Sequence, residues 1–144
     1  MNIDGNLNRV FQDHLPTFHF QRVEPTGGIG VGVPDLNGCA QSVEFWLELK
    51  RVVGWSVTMR PPQIAWIERR TRAGGRVFIA CRKRMPKHRR ALACDDLWLL
   101  KPTAARLLAS HNLKELPAEH IALICRDGPA QWDWPAISQL LLSR

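Results

Sequence analysis

Asp35 follows Pro34, and thirteen residues later Glu48 and Lys50 flank Leu49 as an acid-x-lysine pair. Residues 42–50 alternate: Val43, Phe45, Leu47 and Leu49 fall on one face, and Glu44, Trp46, Glu48 and Lys50 on the other. That is the period-two pattern of a strand, and it places Glu48 and Lys50 side by side, about 7 Å apart. Whether Asp35 joins them depends on the turn between two strands. A tight Asn37-Gly38 turn pairs Asp35 near Ala40, out of reach of Glu48. A turn centred on Gln41 instead sets Asp35 opposite Glu48, with Cβ atoms about 5 Å apart. This second register also pairs Leu36 with Leu47 on the apolar face, and it is the preferred one.

Two carboxylates that close repel each other unless a cation sits between them. A hard cation such as Mg²⁺, or Mn²⁺ in its place, suits one or two protein carboxylates completed by waters and a phosphate oxygen. A lysine beside it can position water and offset charge on a pentavalent phosphate. Two acids, a lysine and a basic surface together describe a phosphodiester hydrolase. The same residues also fit a plainer arrangement, in which Glu48 and Lys50 form a solvated ion pair and Pro34-Asp35 is turn chemistry.

The elements that must hold these residues follow from periodicity and breakers. Residues 6–15 carry Leu7, Val10, Phe11 and Leu15 at helical spacing, closed by Pro16. Residues 18–23 alternate as a strand, and Gly27, Gly28, Gly30 and Gly32 lead into a second over 31–39. Pro61-Pro62 opens a helix that runs to Ala73 and stops at Gly74-Gly75. Residues 76–81 and 97–100 read as strands, 103–110 as a helix capped by Thr103, and 132–142 as a helix opened by Pro135. Residues 120–125 fit either strand or helix. The sum is a single α/β domain over 1–144, a small mixed β-sheet flanked by helices, with residues 91–144 completing the fold.

With 144 residues, 45% hydrophobic and 23% charged, the chain is expected to bury a core and not to be disordered. No apolar run is long enough to span a bilayer, and residues 1–22 lack a signal-peptide core, so neither a membrane nor a secreted protein is expected. Cys39, Cys81, Cys94 and Cys125 form no C-x-x-C pair and read as buried thiols in a reducing cytoplasm. Twenty Lys and Arg against thirteen Asp and Glu give a net charge of +7, which points to a polyanionic partner. Ten of those twenty lie between residues 69 and 90, with no acid among them: Arg69, Arg70, Arg72, Arg76, Arg82, Lys83, Arg84, Lys87, Arg89 and Arg90. Such a band gives salt-sensitive, sequence-blind DNA binding. Residues 82–90 read as a mobile loop beside the substrate path, and Lys50, Arg51 and Arg60 extend the patch. Trp98, Trp132 and Trp134 read as core, whereas Trp46 either lines the site or lies under a helix.

The run Gly32-Val33-Pro34-Asp35-Leu36, followed by Glu48-Leu49-Lys50, resembles the PD-(D/E)XK nuclease superfamily. It is most similar to small phage, VRR-NUC-type and Holliday-junction-resolvase-like members. Gln63, with Trp66, Gly74-Gly75 and the strand Arg76-Val77-Phe78-Ile79-Ala80 after it, resembles that group's downstream glutamine motif; the likeness covers residues 20–82. The resemblance implies a restriction-endonuclease-like core with Asp35, Glu48 and the Leu49 carbonyl as Mg²⁺ or Mn²⁺ ligands. Lys50 would position water, and Gln63 would lie near that water or the scissile phosphate. Many members add an acid from the first helix. Here that helix offers only Asp13, off the usual place, so Glu24 is the substitute, as metal ligand or base.

The expected activity is that of a metal-dependent DNA endonuclease acting on branched or structured DNA, in phage-type replication, recombination or genome processing in the host-cell cytoplasm. A four-way-junction enzyme would be a homodimer, whereas a flap or nicking enzyme can act alone. The alternatives are a non-catalytic nucleic-acid-binding protein with the same fold and a protein-interaction factor.

Overall fold

Residues 47–49 are buried on both faces, and residues 43–51 have a strand partner on each side, which puts them inside the sheet and not at its edge. Phe45 and Leu47 are wholly buried and Leu49 nearly so, each burial worth about 1.5–3 kcal/mol. The structure, a computed structural model, describes residues 4–23, 31–85 and 93–143. Its elements run α1 (Leu7–His14), β1 (His19–Arg22), β2 (Leu36–Ala40), β3 (Val43–Arg51), α2 (Pro61–Arg72) and β4 (Val77–Met85). Then follow β5 (Cys94–Leu100), α3 (Ala104–Leu107), two 3-10 turns (Leu113–Glu115 and Ala118–His120), β6 (Ile121–Cys125) and α4 (Trp134–Leu142).

Six strands form one mixed sheet in chain order. Every neighbouring pair is antiparallel except β3 and β4. A parallel pair needs a crossover, and α2 supplies it. On one face, α1 and α4 pack Leu7, Phe11, Ile137 and Leu141 against Phe45, Leu47, Leu49, Leu97 and Leu99. On the other, α2 and α3 pack Ile64, Ile67, Ala104 and Ala105 against Val77, Ile79, Trp98 and Leu100. The chain is therefore an α/β protein with a mixed sheet flanked by helices. Among the described residues no helix is long and apolar enough to cross a membrane.

Several boundaries differ from the sequence reading. β2 starts at Leu36 and not at 31. β4 runs on to Met85, so Arg82, Lys83 and Arg84 are sheet residues where a loop was expected. The reason is β5, which begins at Cys94 and sets Asp96 across from Lys83 and Asp95 across from Arg84. α3 is a single turn, and Thr103 does not cap it; its Oγ1 lies 2.8 Å from His120 Nδ1. Residues 121–125 are strand. α4 is capped by Asp133, whose Oδ1 accepts from the Ala136 N–H at 3.0 Å. Cys81 and Cys125 are buried thiols, but Cys39 and Cys94 are only partly covered. Trp98 and Trp132 are core, Trp134 is half-buried against Phe11 and His14, and Trp46 lies against Trp66 of α2.

Candidate active site

The β2–β3 hairpin decides whether the acids meet. It turns at Gln41-Ser42, both in the left-handed region (φ 50° and 65°), the type I′ pattern whose twist suits a two-residue hairpin. Asn37-Gly38, a turn signal by composition, sits inside β2 because Gly38 lies against the Phe45 ring across the ladder. The resulting register pairs Leu36 with Leu47 and so carries Asp35 to Glu48. β1 extends the ladder to Asp35, whose carbonyl accepts from the Val23 N–H at 2.8 Å. Gly32 (φ 86°) brings the approach to Asp35 against the start of α2; a Cβ there would lie 2.2 Å from the Pro62 carbonyl oxygen. Pro61 and Pro62 start α2 over the end of β3, which hangs Gln63 above Glu48 and Lys50.

Gln63 clamps the two strand residues together. Its Oε1 accepts from Lys50 Nζ at 3.0 Å and from the Arg60 N–H at 2.9 Å, while its Nε2 donates to Glu48 Oε1 at 3.1 Å. Lys50 Nζ also lies 3.5 Å from Glu48 Oε1. Asp35 is held from beneath: its Oδ2 accepts from the Leu49 N–H at 2.8 Å. Glu48 is 2% exposed; its second oxygen, Oε2, is buried with no N–H donor on it, and the Glu48 carboxyl, when protonated, hydrogen-bonds the Asp35 carboxylate.

The electrostatics follow from that burial. Desolvation pushes the Glu48 carboxyl up to about 8, the Asp35 charge pushes it the same way, and the Lys50 charge opposes both. Asp35 is also raised, by burial first, against the pull of the Leu49 N–H. Cys81, the cross-strand partner of Lys50, has its thiol pushed up to about 12 by burial, so it is not the nucleophile of this cleft.

No protein-family model matches this sequence, and no curated protein is detectably similar to it. Two buried carboxyls this close hold a proton between them, and a divalent cation can take its place. Asp35, Glu48 and the Leu49 carbonyl are the groups that would hold one. Among the described residues no three His, Cys, Asp or Glu gather closely enough to do so alone.

Asp13, the acid that the first helix offers, is exposed and lies 3.5 Å from Arg9. Asp4 was missed: it precedes α1, accepts from the Asn6 N–H at 2.9 Å, and its charge raises Asp35. An acid two positions before the Asn6 that precedes α1 was the available signal, and it reads equally well as turn chemistry. Glu24 lies outside the described residues, as do Lys87, Arg89 and Arg90.

The basic band divides. Arg51, Arg60, Arg69, Arg70, Arg72 and Arg84 are exposed. Arg70 lies over the Trp46 and Trp66 rings, 5.5 and 4.7 Å from their centres. Arg82, Lys83 and Arg76, expected at the DNA surface, are engaged inside the fold. Arg82 is 6% exposed and grips Asp95 with two 2.8 Å hydrogen bonds, while its third nitrogen donates to the Gly5 carbonyl at 3.0 Å. Lys83 is 5% exposed and donates to the Gly54 carbonyl. Arg76 donates to the Leu140 and Leu141 carbonyls at 3.1 and 2.6 Å, near the end of α4. Such contacts suit a cation near a helix C-terminus.

Proposed function

We propose that this protein is a divalent-metal-dependent DNA endonuclease of the PD-(D/E)XK type, hydrolysing phosphodiesters in branched or otherwise structured DNA. The observation that carries the reading is the buried pair of facing Glu48 and Asp35 carboxyls, with Glu48 clamped by Gln63 to Lys50. A plain Glu48–Lys50 ion pair needs no second buried carboxyl beside it; a cation site does.

Asp35, Glu48 and the Leu49 carbonyl would hold Mg²⁺ or Mn²⁺. The ion supplies Lewis-acid stabilisation of the charge growing on the phosphate and acidifies water. Lys50 orients the water for in-line attack and brings a positive charge to the transition state. Gln63 fixes the Lys50 and Glu48 side chains by hydrogen-bonding both, so neither has to reorganise during the reaction. Exposed Arg51, Arg60, Arg69, Arg70, Arg72 and Arg84 supply a sequence-blind grip on the phosphate backbone. Symmetric cutting of a four-way junction would require a homodimer.

A second reading, a nucleic-acid-binding protein that keeps the fold without catalysis, draws on the ligand count: two carboxylates meet, and Asp4 reaches them through its charge. The two separate on a labelled panel of four-way junction, flap, duplex and single strand, incubated with Mg²⁺, Mn²⁺ or EDTA. Cutting that needs metal and is lost in Asp35→Ala and Lys50→Ala supports the enzyme. Tight binding with no cutting in either metal supports the binding protein.

A further inference from the structure

The sheet face that carries Glu48 and Lys50 continues along β3 to a second group of side chains. On that face Trp46 stands two residues before Glu48, about 7 Å along the strand. α2 follows the same line. Gln63, Trp66, Arg70 and Ala73 fall at i, i+3, i+7 and i+10, one flank of the helix, while Ile64 and Ile67 are buried in the core. Gln63 closes over Glu48 and Lys50. One turn further on, Trp66 meets the Trp46 ring at 63°, with centres 5.3 Å apart, and Arg70 lies over both rings. Glu68, the one acid of α2, is on the other flank and is taken by Arg106.

Trp66, Arg69, Arg70 and Ala73 line an open cleft of about 360 Å³, a volume in the range of small-ligand sites. Trp66 is half-buried and the other three are exposed. The end of α2 holds the Arg70 stem in place. The Gly75 N–H donates to the Arg70 carbonyl at 2.8 Å, and a Cβ on Gly75 would lie 2.5 Å from Arg70 Cγ and Cδ. A glycine there leaves the space that the stem occupies. Among the described residues neither Arg69 nor Arg70 forms an ion pair. An indole, a guanidinium over it and a second guanidinium without an acid therefore share one cleft. That set matches a ligand with a flat aromatic ring and a negative charge, and an unpaired nucleotide offers both.

We infer that this cleft takes an unpaired nucleotide, its base stacked on Trp66 and Arg70 and its phosphate held by Arg69. Bases inside a duplex have both faces occupied by their neighbours, so the cleft selects a single-stranded arm. It does so without reading sequence, since every base has a π face. The consequence for the substrate rests on the nuclease reading above. The row from Trp46 to Glu48 leads the arm to the two carboxylates, and the DNA that is cut is a branch or flap with a single strand beside the scissile phosphate.

The test is fluorescence anisotropy with labelled oligothymidylate and with an abasic strand of equal length and charge, in EDTA so that nothing is cut. Wild type should bind the base-bearing strand about tenfold more tightly, as one stacked base is worth. Arg70→Lys keeps the charge and removes the plane at an exposed position. Trp66→Leu removes the indole, with its urea midpoint as the check on folding; if it unfolds, Arg70→Lys decides alone. Each should bring the two strands within about twofold of one another and leave the abasic affinity unchanged. Equal affinity for both strands in wild type, or a difference that survives the substitutions, overturns the stacking site. If the difference is found but nothing is cut with Mg²⁺ or Mn²⁺, the cleft stands and the nuclease reading falls. If wild type cuts with metal yet binds the two strands alike, the nuclease stands and the cleft falls.

Discussion

Replacing Glu48 with glutamine keeps the side chain's size and its contact with Gln63 while removing the ionisable group, so it isolates the cost of the buried charge. Burial and the Asp35 charge raise the Glu48 carboxyl from 4.5 to about 8. Below about pH 4.5 both folded and unfolded chains hold that proton. From there to about pH 8 only the folded chain holds it, so stability falls as pH rises; above that both are ionised and the loss is complete. At about 1.4 kcal/mol per unit, the shift corresponds to about 5 kcal/mol, and the raised Asp35 acts in the same direction. That is a large part of the roughly 5–15 kcal/mol that holds a domain together. In EDTA, the urea midpoint of wild type should therefore be about 2 M lower at pH 9 than at pH 5, with an unchanged slope of about 2 kcal/mol/M. Glu48→Gln should lose this dependence, match wild type at pH 5 and exceed it at pH 9. A flat wild-type profile, or the same decline in Glu48→Gln, refutes the argument.

Lys50→Ala should lower kcat by about 10²–10³ and leave DNA affinity within about twofold, since its charge acts at the reacting phosphate; single-turnover cleavage beside fluorescence anisotropy reads both. Arg82→Ala should cost about 3 kcal/mol by leaving Asp95 without its partner, with no change in the salt dependence of DNA binding. The pair Arg69→Ala/Arg72→Ala should do the opposite, sparing the urea midpoint and lowering the log K against log salt slope by about 2. Gly38→Ala places a Cβ 2.3 Å from Phe45 Cζ, and the overpacking should cost about 2 kcal/mol in a melting experiment.

The parts legible in the sequence are those where local pattern and tertiary packing agree. The alternation of residues 43–51 identifies β3, and pairing Leu36 with Leu47 on the apolar face is enough to choose the register that brings Asp35 to Glu48. Pro61-Pro62 and Gly74-Gly75 bracket α2 because they act through backbone geometry alone. What stays hidden depends on distant chain. Arg82 and Lys83 look like surface charge until Asp95, Gly5, Gly54 and Trp55 are folded around them. Arg76 is likewise taken up by α4, more than sixty residues away. Asp4 is separated from Asp35 by a helix and a strand, and no local rule connects the two.

The most direct test of the central claim, that Asp35 and Glu48 share a divalent cation, is calorimetric titration of Mn²⁺ into the protein at pH 7. Running it in buffers of different ionisation enthalpy counts the protons released. The raised Glu48 carboxyl means that binding should expel about one proton per ion, and that Asp35→Ala and Glu48→Gln should each abolish binding. Mn²⁺ uptake without proton release, uptake that survives both substitutions, or no uptake at millimolar Mn²⁺ would contradict it.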